Sequence, residues 1–424
     1  MTVDFDGLLV TDDTREYKEG ALLLKTYQNA TYIKSERTIT PRELIRRLQL
    51  EGIEIIGVTG TNGKTTTSAA IYSLLEELGE RAALQGTRGF FVSGEKIEDK
   101  THTTPPLLQT ISHLHEAVKR GARYFVMEVS SHAIDQNRIE SLGFALKVLT
   151  NISQDHLDYH KSMERYIATK SSFFMDESPK LINKEEKKVN FNIKNARTYA
   201  IEEMATYKIA AYSLSEGISA VLQHGSQMVD FHSPLMGLFN LYNLTAAIGA
   251  VHMLTGKDLE AIAGAVEDFG GVKGRMEIVS YEPLIIVDFA HTPDGMQKVF
   301  ESFPGRKIVA LFGAGGERDK DKRGKMGAVA ARFCQRIYLT SDNPRSEDPA
   351  SIIEDIAQGI GSGIDVERII DRKEAIRKAI ESLEGDEVLL ILGKGDEAYI
   401  EMNGELVPHD DVAYAERCLK EKIR

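Results

Sequence analysis

The stretch Gly57–Leu78, GVTGTNGKTTTSAAIYSLLEEL, decides how the rest of the chain is read. IEIIGVTG, which runs into it, has the look of a buried strand. TNGK is then the turn and TTTSAAIYSLLEELG a helix closed by Gly79. A strand that ends in a glycine turn and opens a helix aims backbone N–H groups and the helix dipole at an anion. Lys64 adds a mobile cation for terminal phosphates, and Thr65 offers magnesium a hydroxyl. The Gly63-Lys64-Thr65 ending is that of a P-loop, but Val58 stands where the usual signature has its first glycine. The alternative, a tight turn with an incidental lysine, is the weaker reading once strand and helix are both in place.

Outward from this loop the chain alternates. RYFVMEV and FALKVLTNI follow as apolar segments, each after helix-like or turn-like sequence, which implies a largely parallel sheet covered on both sides. The pattern breaks at AVEDFGGVKGR, a hinge candidate around Gly270–Gly274. A second series follows, LIIVDFAH, KIVALFGAGG, RIYLTSDNP and EVLLILGKGD, enough for a separate Rossmann-like domain. Ahead of the loop lies a short preface with LLV and ALLL as strands and TPRELIRRL as a helix opening on Thr40-Pro41. The expected fold class is α/β in three domains: a short N-terminal α/β domain (1–50), a central P-loop ATPase domain with a mostly parallel sheet (51–275), and a C-terminal Rossmann-like domain (276–424).

Composition bounds the function. A length of 424 residues suits two or three domains, and 42% hydrophobic with 27% charged residues is ordinary for a soluble globular protein. The net charge of -12 argues against a nucleic-acid partner held on a broad basic face, though not against a small anion in a local basic pocket. Cys334 and Cys418 are too few for a disulfide framework or a thiolate zinc site. The acidic N-terminus lacks the pattern of a signal peptide, and no apolar run is long enough to cross a bilayer, so the expectation is a cytoplasmic protein with no membrane partner.

Other segments carry chemistry less plainly. Glu128 ends the strand RYFVMEV where open α/β sheets place ligands, and its oxygens suit magnesium; alone, a solvated strand-end glutamate is a fair alternative. NISQDHLDYHKSMERYIATK contains His156, Asp158 and His160, which admit a metal site or, more often, a structural role at a helix start; Lys170 is bland by itself. THTTPP, Thr101–Pro106, is a stiff hydroxyl-rich loop. FGAGGERDKDKRGKMG lacks clean dinucleotide spacing, and its basic residues point to carboxylate or phosphate capture. In DNPR, Asp342 and Arg345 can clamp a zwitterion, the arginine taking a carboxylate and the aspartate an ammonium.

Together TGTNGKTTT, THTTPP, EVSSHAIDQNR, TNISQDHLDYH, FNLYNLTAA, GVKGRME, VDFAHTPDGM, DNPR and GKGDE resemble the Mur ligases, the ATP-dependent amide-forming enzymes of peptidoglycan precursor synthesis. The TGTNGKT form of the loop is that family's own. Within the family, DNPR marks the members that add meso-diaminopimelate to UDP-N-acetylmuramoyl-L-alanyl-D-glutamate through an acyl phosphate. The resemblance implies that Gly60, Thr61, Asn62, Gly63, Lys64, Thr65 and Thr66 hold ATP, with Asn240, Asn243, Arg275, Asp288 and His291 lining the rest of the nucleotide site. It implies Mg²⁺ at Thr65, Glu128, His156 and Lys170, the last carbamylated to N6-carboxylysine, with Lys64, Glu128, His156 and Lys170 as the catalytic set. Thr103, Thr104, Ser131, Gln136 and Arg138 match the muramoyl-dipeptide contacts. Arg318, Asp342, Asn343, Pro344, Arg345, Gly393 and Glu397 match those to diaminopimelate. Partners are then three small molecules, the UDP-MurNAc-dipeptide, meso-diaminopimelate and ATP, acting on a monomer. The family's uridine-side start is matched only by TDDTREYKEGALLL. Two rivals remain: a folylpolyglutamate-type ligase, which shares the ATPase core but is not expected to carry DNPR and GKGDE, and a P-loop switch protein, for which no switch loops are found.

Overall fold

The computed structural model describes residues 1–15, 20–33, 37–99 and 102–422. Thr101 of the THTTPP loop and residues 16–19 of the TDDTREYKEGALLL segment lie outside them. Three large sheets follow one another along the chain. The first has four strands in chain order, Thr2–Phe5, Leu8–Thr11, Leu22–Leu24 and Thr38–Ile39, of which only the first pair is antiparallel. The LLV and ALLL runs are its second and third strands. Helix Pro41–Arg47 follows, started by a capping box in which Thr40 and Glu43 each accept the other's backbone N–H.

The central sheet has eleven strands. The P-loop strand Glu54–Thr59 lies between Phe144–Leu149 and Tyr124–Glu128, parallel to both. Ala82–Gly86 on one side, and Lys180–Asn183, Ala196–Ala200 and Tyr207–Ser213 on the other, keep that direction. Antiparallel strands then finish both flanks: Gly89–Val92 with Glu95–Glu98, and Ile218–His224 with Gln227–Ser233. The alternating sequence pattern anticipated the parallel middle but not these wings. Burial explains why: past its first residue Glu54–Thr59 is buried throughout, as a strand covered on both faces must be, whereas Gln227–Ser233 alternates between buried and exposed. Helices Lys64–Glu77 and Leu238–Thr255 belong to the apolar cluster on one face, and Leu107–Lys119 to that on the other.

The third sheet runs Glu277–Tyr281, Leu284–Asp288, Val388–Leu392, Ile308–Phe312, Cys334–Leu339, Asp365–Arg368, antiparallel only at its first pair. Two separate apolar clusters cover its two faces. A hairpin, Tyr399–Met402 with Glu405–Pro408, follows the strand Val388–Leu392. Within Gly270–Gly274 the freedom expected of a hinge is uneven. A side chain at Gly270 would meet open space, whereas Gly274, at φ 69°, lies against the backbone of Gly395 and Asp396 with no room for a Cβ. Among the described residues no helix is long and apolar enough to cross a membrane.

Candidate active site

The P-loop closes on a second helix. Gly63 has φ 83°, and a Cβ there would collide with Asn243 Oδ1, so only glycine lets the turn sit against helix Leu238–Thr255. Asn243 Oδ1 also accepts from Thr67 Oγ1 at 3.2 Å, and Asn243 Nδ2 donates to Asn240 Oδ1 at 3.1 Å. Thr61 is buried, its hydroxyl 2.9 Å from that of Tyr166. Asn62 donates its side chain to Asp294 Oδ2 at 2.9 Å, a bond that spans the cleft to the third sheet's domain.

Two lysines share one carbonyl here. Lys64 Nζ donates to the Gly60 and Thr61 oxygens at 2.9 Å each, and Lys170 Nζ to Gly60 O at 2.9 Å and Thr59 Oγ1 at 3.2 Å. Burial holds the Lys170 amine well below its usual pKa, and the neighbouring Lys64 lowers it further. Burial lowers Lys64 as well, against the pull of Glu128 and Asp155.

Glu128 is not the solvated strand end that the isolated segment allowed. It is buried, and accepts from Thr65 Oγ1 at 3.0 Å, the Thr87 N–H at 2.7 Å and Thr87 Oγ1 at 3.1 Å, neutral donors all. His156 starts its helix in the left-handed region, φ 52°, with its ring 3.3 Å from Asp155 and edge-on to His132. Desolvation takes its pKa down to about 4, with Asp155 opposing and His132 and Lys64 assisting, so the imidazole is neutral. Asp155 is a residue the sequence reading passed over, although it sits beside His156 in a quoted motif. Burial works against its charge, yet His156, His291, Lys64 and Lys322 together hold its carboxyl below the usual range.

A cavity of about 780 Å³ lies next to the P-loop, and Glu128, Asp155, His156 and Lys170 are not among its lining residues. Asn62, Gly63, Thr65 and Thr66 line one wall, Arg275, Asp288 and His291 the other, with Asn240 and Asn243 also contributing. Gly60, Thr61 and Lys64 do not line it themselves but underlie the loop. The Arg275 guanidinium lies over the Phe289 ring at 4.0 Å. Asp288 accepts the N–H groups of Met276 and Ala290; burial raises its pKa while Arg275 opposes the rise. Burial, then Lys322, lowers that of His291. Sequence reasoning missed the far end, where Leu214, Ser215, Glu185 and Tyr242 line the cavity. Glu185 accepts three consecutive N–H groups, of Ile201, Glu202 and Glu203, together with the Tyr242 hydroxyl. No short motif announces such a site.

Four of the five residues matched to the dipeptide, Thr103, Thr104, Gln136 and Arg138, form one network with Glu128, and Ser131 pairs with His160 beside it. Thr104 Oγ1 donates to Glu128 O at 2.9 Å and accepts from the Ser130 N–H at 2.9 Å. Arg138 reaches Thr104 O and Gln136 Oε1, both at 2.9 Å. Ser131 Oγ lies 2.9 Å from His160 Nε2, and Thr103 Oγ1 accepts from Thr87 Oγ1 at 3.3 Å. From the first sheet's domain, Gln28 Nε2 donates to Gln136 O at 2.7 Å.

The third group gathers where strands of the last sheet end. Asn343 Nδ2 donates to Glu397 Oε2 at 2.9 Å, while its Oδ1 accepts from Lys394 Nζ at 3.0 Å and the Glu401 N–H at 2.8 Å. Arg345, at φ 53°, pairs its Nε with Glu401 Oε2 at 3.0 Å and donates Nη1 to Gly316 O at 2.6 Å. Asp342 is nearly buried, and Pro344 O accepts the Glu347 N–H. Gly393 ties this group to the cavity through its N–H, 3.0 Å from Asp288 O. Arg318 stands exposed, its charge felt at Lys322 and, across the cleft, at His132. Lys394 and Glu401 were not foreseen.

Residues 58–251 match the Mur ligase middle domain and residues 274–395 the Mur ligase glutamate ligase domain. A relative from Wolinella succinogenes, UDP-N-acetylmuramoyl-L-alanyl-D-glutamate--2,6-diaminopimelate ligase, is 55% identical over 95% of this chain and 94% of its own length. The ligase of that name from Helicobacter pylori is 50% identical over 92% and 90%. The chain belongs to the Mur ligase family. A solved UDP-N-acetylmuramoyl-L-alanyl-D-glutamate--2,6-diaminopimelate ligase superposes on this Mur ligase with a TM-score of 0.69 at 31% identity, covering 98% of this chain and 95% of that one. Mycobacterium tuberculosis folylpolyglutamate synthase reaches 0.68 at 17% identity, covering 89% and 93%, a likeness of fold alone.

Family members use ATP with Mg²⁺, and the donors present fit that ion. Among the described residues of this Mur ligase no three His, Cys, Asp or Glu side chains cluster into a metal site of their own. Magnesium asks for less, since it is commonly held by one or two carboxylates with waters and substrate phosphates completing its shell. Glu128, buried and bonded by neutral groups among the described residues, has the chemistry such a role asks for.

Proposed function

We propose that this protein is an ATP-dependent amide ligase that joins meso-diaminopimelate to UDP-N-acetylmuramoyl-L-alanyl-D-glutamate. One observation carries the reading: the cleft whose phosphate loop carries Lys64, without an ion pair among the described residues, is joined, through Gly393 and Asp288, to a pocket bearing DNPR and Glu397. The strong identity to ligases of that name supports it.

Each region then has a role. Residues 1–50 take the uridine end, as the contact of Gln28 with Gln136 suggests; 51–275 bind ATP and the dipeptide; 276–424 bind the amino acid. Lys64, Thr65 and the loop N–H groups hold the terminal phosphates of ATP close to the glutamyl carboxylate. That carboxylate's oxygen attacks the γ-phosphorus, the bond to the bridging oxygen breaks, and ADP leaves an acyl phosphate. The amine of diaminopimelate attacks the acyl carbon, phosphate departs, and the nitrogen gives up a proton. Thr65, Glu128 and His156 would hold magnesium, which would supply neutralisation of the phosphate charge. Lys170 fits carbamylation, because a buried ammonium sharing a carbonyl with Lys64 is poorly placed beside a cation, whereas a carbamate offers it oxygens. Closure about Gly270–Gly271 brings the C-terminal region onto the cleft and excludes water from the acyl phosphate. The working unit is a monomer in the cytoplasm.

The test is ADP release with UDP-MurNAc-dipeptide against a panel of acceptors. Turnover is expected with meso-diaminopimelate and poor turnover with lysine. Release supported by glutamate and a folate acceptor instead would replace this reading with the folylpolyglutamate type.

A further inference from the structure

Beneath the amino-acid pocket lies a buried ionic cluster to which neither the mechanism nor any motif gives a role. Arg372, the first residue of helix Arg372–Glu381, has its side chain wholly out of solvent, as does Asp411 at the start of helix Asp411–Lys422. Arg372 grips Asp411 with both edges of a fork, Nε to Oδ1 at 2.8 Å and Nη2 to Oδ2 at 2.6 Å. His409 Nε2 lies 2.7 Å from Asp411 Oδ1. The remaining donors of Arg372 go to two backbone carbonyls, Nη1 to Ser341 O at 3.1 Å and Nη2 to Leu392 O at 3.0 Å.

Those carbonyls are telling. Ser341 immediately precedes Asp342 of DNPR, and Leu392 immediately precedes Gly393 of GKGDE. The strands that deliver the two segments, Cys334–Leu339 and Val388–Leu392, are not neighbours, because Ile308–Phe312 runs between them. No ladder of sheet hydrogen bonds therefore sets the distance between the segments at their ends, and the guanidinium spans it. Stability is a poor reason for the cluster. Desolvating two ions offsets most of their attraction, and apolar replacements of similar volume are commonly neutral or stabilising. What such a replacement cannot do is donate to two carbonyls at fixed separation.

We propose that Arg372, held by Asp411 and His409, is a positioning residue that sets the spacing of DNPR against Gly393 and Glu397 and so shapes the acceptor amino-acid pocket. This rests on diaminopimelate being the acceptor. Two variants test it: Arg372→Lys, which keeps the charge but lacks the fork, and the combined Arg372→Met, His409→Leu, Asp411→Leu replacement. Both are expected to raise the KM for diaminopimelate on the order of tenfold, as small misplacements of binding groups do. The KM for ATP should stay within about twofold, since the nucleotide wall is held by other contacts. The combined variant should stay folded and melt close to the wild type, because removing the buried ions offsets the loss of donors to the two carbonyls. A folded combined variant with unaltered KM for diaminopimelate would overturn the proposal, as would a parallel rise in the KM for ATP. If the combined variant does not fold, the same KM comparison on Arg372→Lys decides. A wild type that shows no diaminopimelate-dependent ADP release fails at the acceptor reading, and takes the proposal with it; normal wild-type release with unmoved variants fails the proposal alone.

Discussion

The two ends of the cleft hold charge in opposite ways. At the phosphate end, among the described residues, Lys64 and Lys170 donate only to backbone carbonyls and a hydroxyl, and the Glu128 carboxylate accepts only from neutral groups. At the amino-acid end four cations are paired within the protein: Arg345 with Glu401, Lys394 with Glu397, Arg372 with Asp411, Arg323 with Glu347. An unpaired buried charge is costly to keep, and such groups concentrate where function requires them. The phosphate end holds its charges in reserve for a ligand that brings the counter-charge. At the amino-acid end these four pairs fix shape, and Arg345 is held by its pair in the place where it meets the acceptor.

If so, removing a charge at the phosphate end costs rate and little stability. Lys64→Met should lower the kcat of ADP release about 10³-fold, the loss typical of a donor aimed at developing charge. Its melting temperature should hold, because no charged group among the described residues loses an ion-pair partner, and Gly60 O keeps Lys170 as a donor. A Lys64→Met variant that unfolds, or that turns over normally, breaks the contrast between the two ends.

Lys170 sharpens the contrast, since there the sign of the charge is at stake. Lys170→Ala should lose about 10²-fold in kcat, a smaller loss than that of Lys64. Added formate or acetate should recover part of it by filling an anionic position. A fully active variant, or intact-mass and crystallographic data showing an unmodified amine in active magnesium-loaded protein, would sink the carbamate.

The amino-acid end should answer through selectivity. Arg345→Ala is expected to reduce the diaminopimelate-to-lysine ratio of kcat/KM by about 1.5–3 kcal/mol, the worth of a hydrogen bond to a charged group. Side-by-side kinetics with both acceptors measure it, and an unchanged ratio would remove DNPR from the reading. Glu401→Gln should move that ratio in the same direction by less, since it loosens the Arg345 fork without deleting it.

The same division decides what was legible in the sequence. The phosphate end is built from consecutive residues, Gly60 to Thr66, on a strand and helix whose apolar periods are plain, so fold and site could be read together. The parallel cores of both larger sheets were legible because covered strands are continuous apolar runs. The antiparallel wings were not, since strands such as Ile218–His224 and Gln227–Ser233 mix buried with more exposed residues and leave no such run. At the amino-acid end DNPR and GKGDE were visible as motifs, but what holds them comes from far along the chain: Glu401 for Arg345, Asp411 for Arg372. A pairing across tens of residues leaves no local signal. Asp155 differs again, a plain acid whose role comes from the four cationic or titratable neighbours the fold puts round it.

The smallest expected effect lies at the outer edge of the paired end. Glu347 accepts from Arg323 Nη1 and Nη2 at 3.0 Å each, and from the Glu317 N–H. Arg323 first, then that N–H, takes its carboxyl pKa from 4.5 down to about 2. A carboxyl with a depressed folded pKa binds fewer protons than its unfolded counterpart in between, so stability there rises with pH. The contribution is complete above the unfolded value and is lost as pH falls through about 2. Solvent reaches Glu347, which limits its size. Glu347→Gln should therefore lower the melting temperature slightly at neutral pH and flatten its decline between about pH 5 and about pH 2. Lys64→Met should leave the part of that slope due to Glu347 as it is, because Lys64 acts on Asp155 and not on Glu347. Parallel melting curves for wild type and Glu347→Gln across that range would show that the pair contributes nothing, and the amino-acid end would lose one of the four pairs that set it apart.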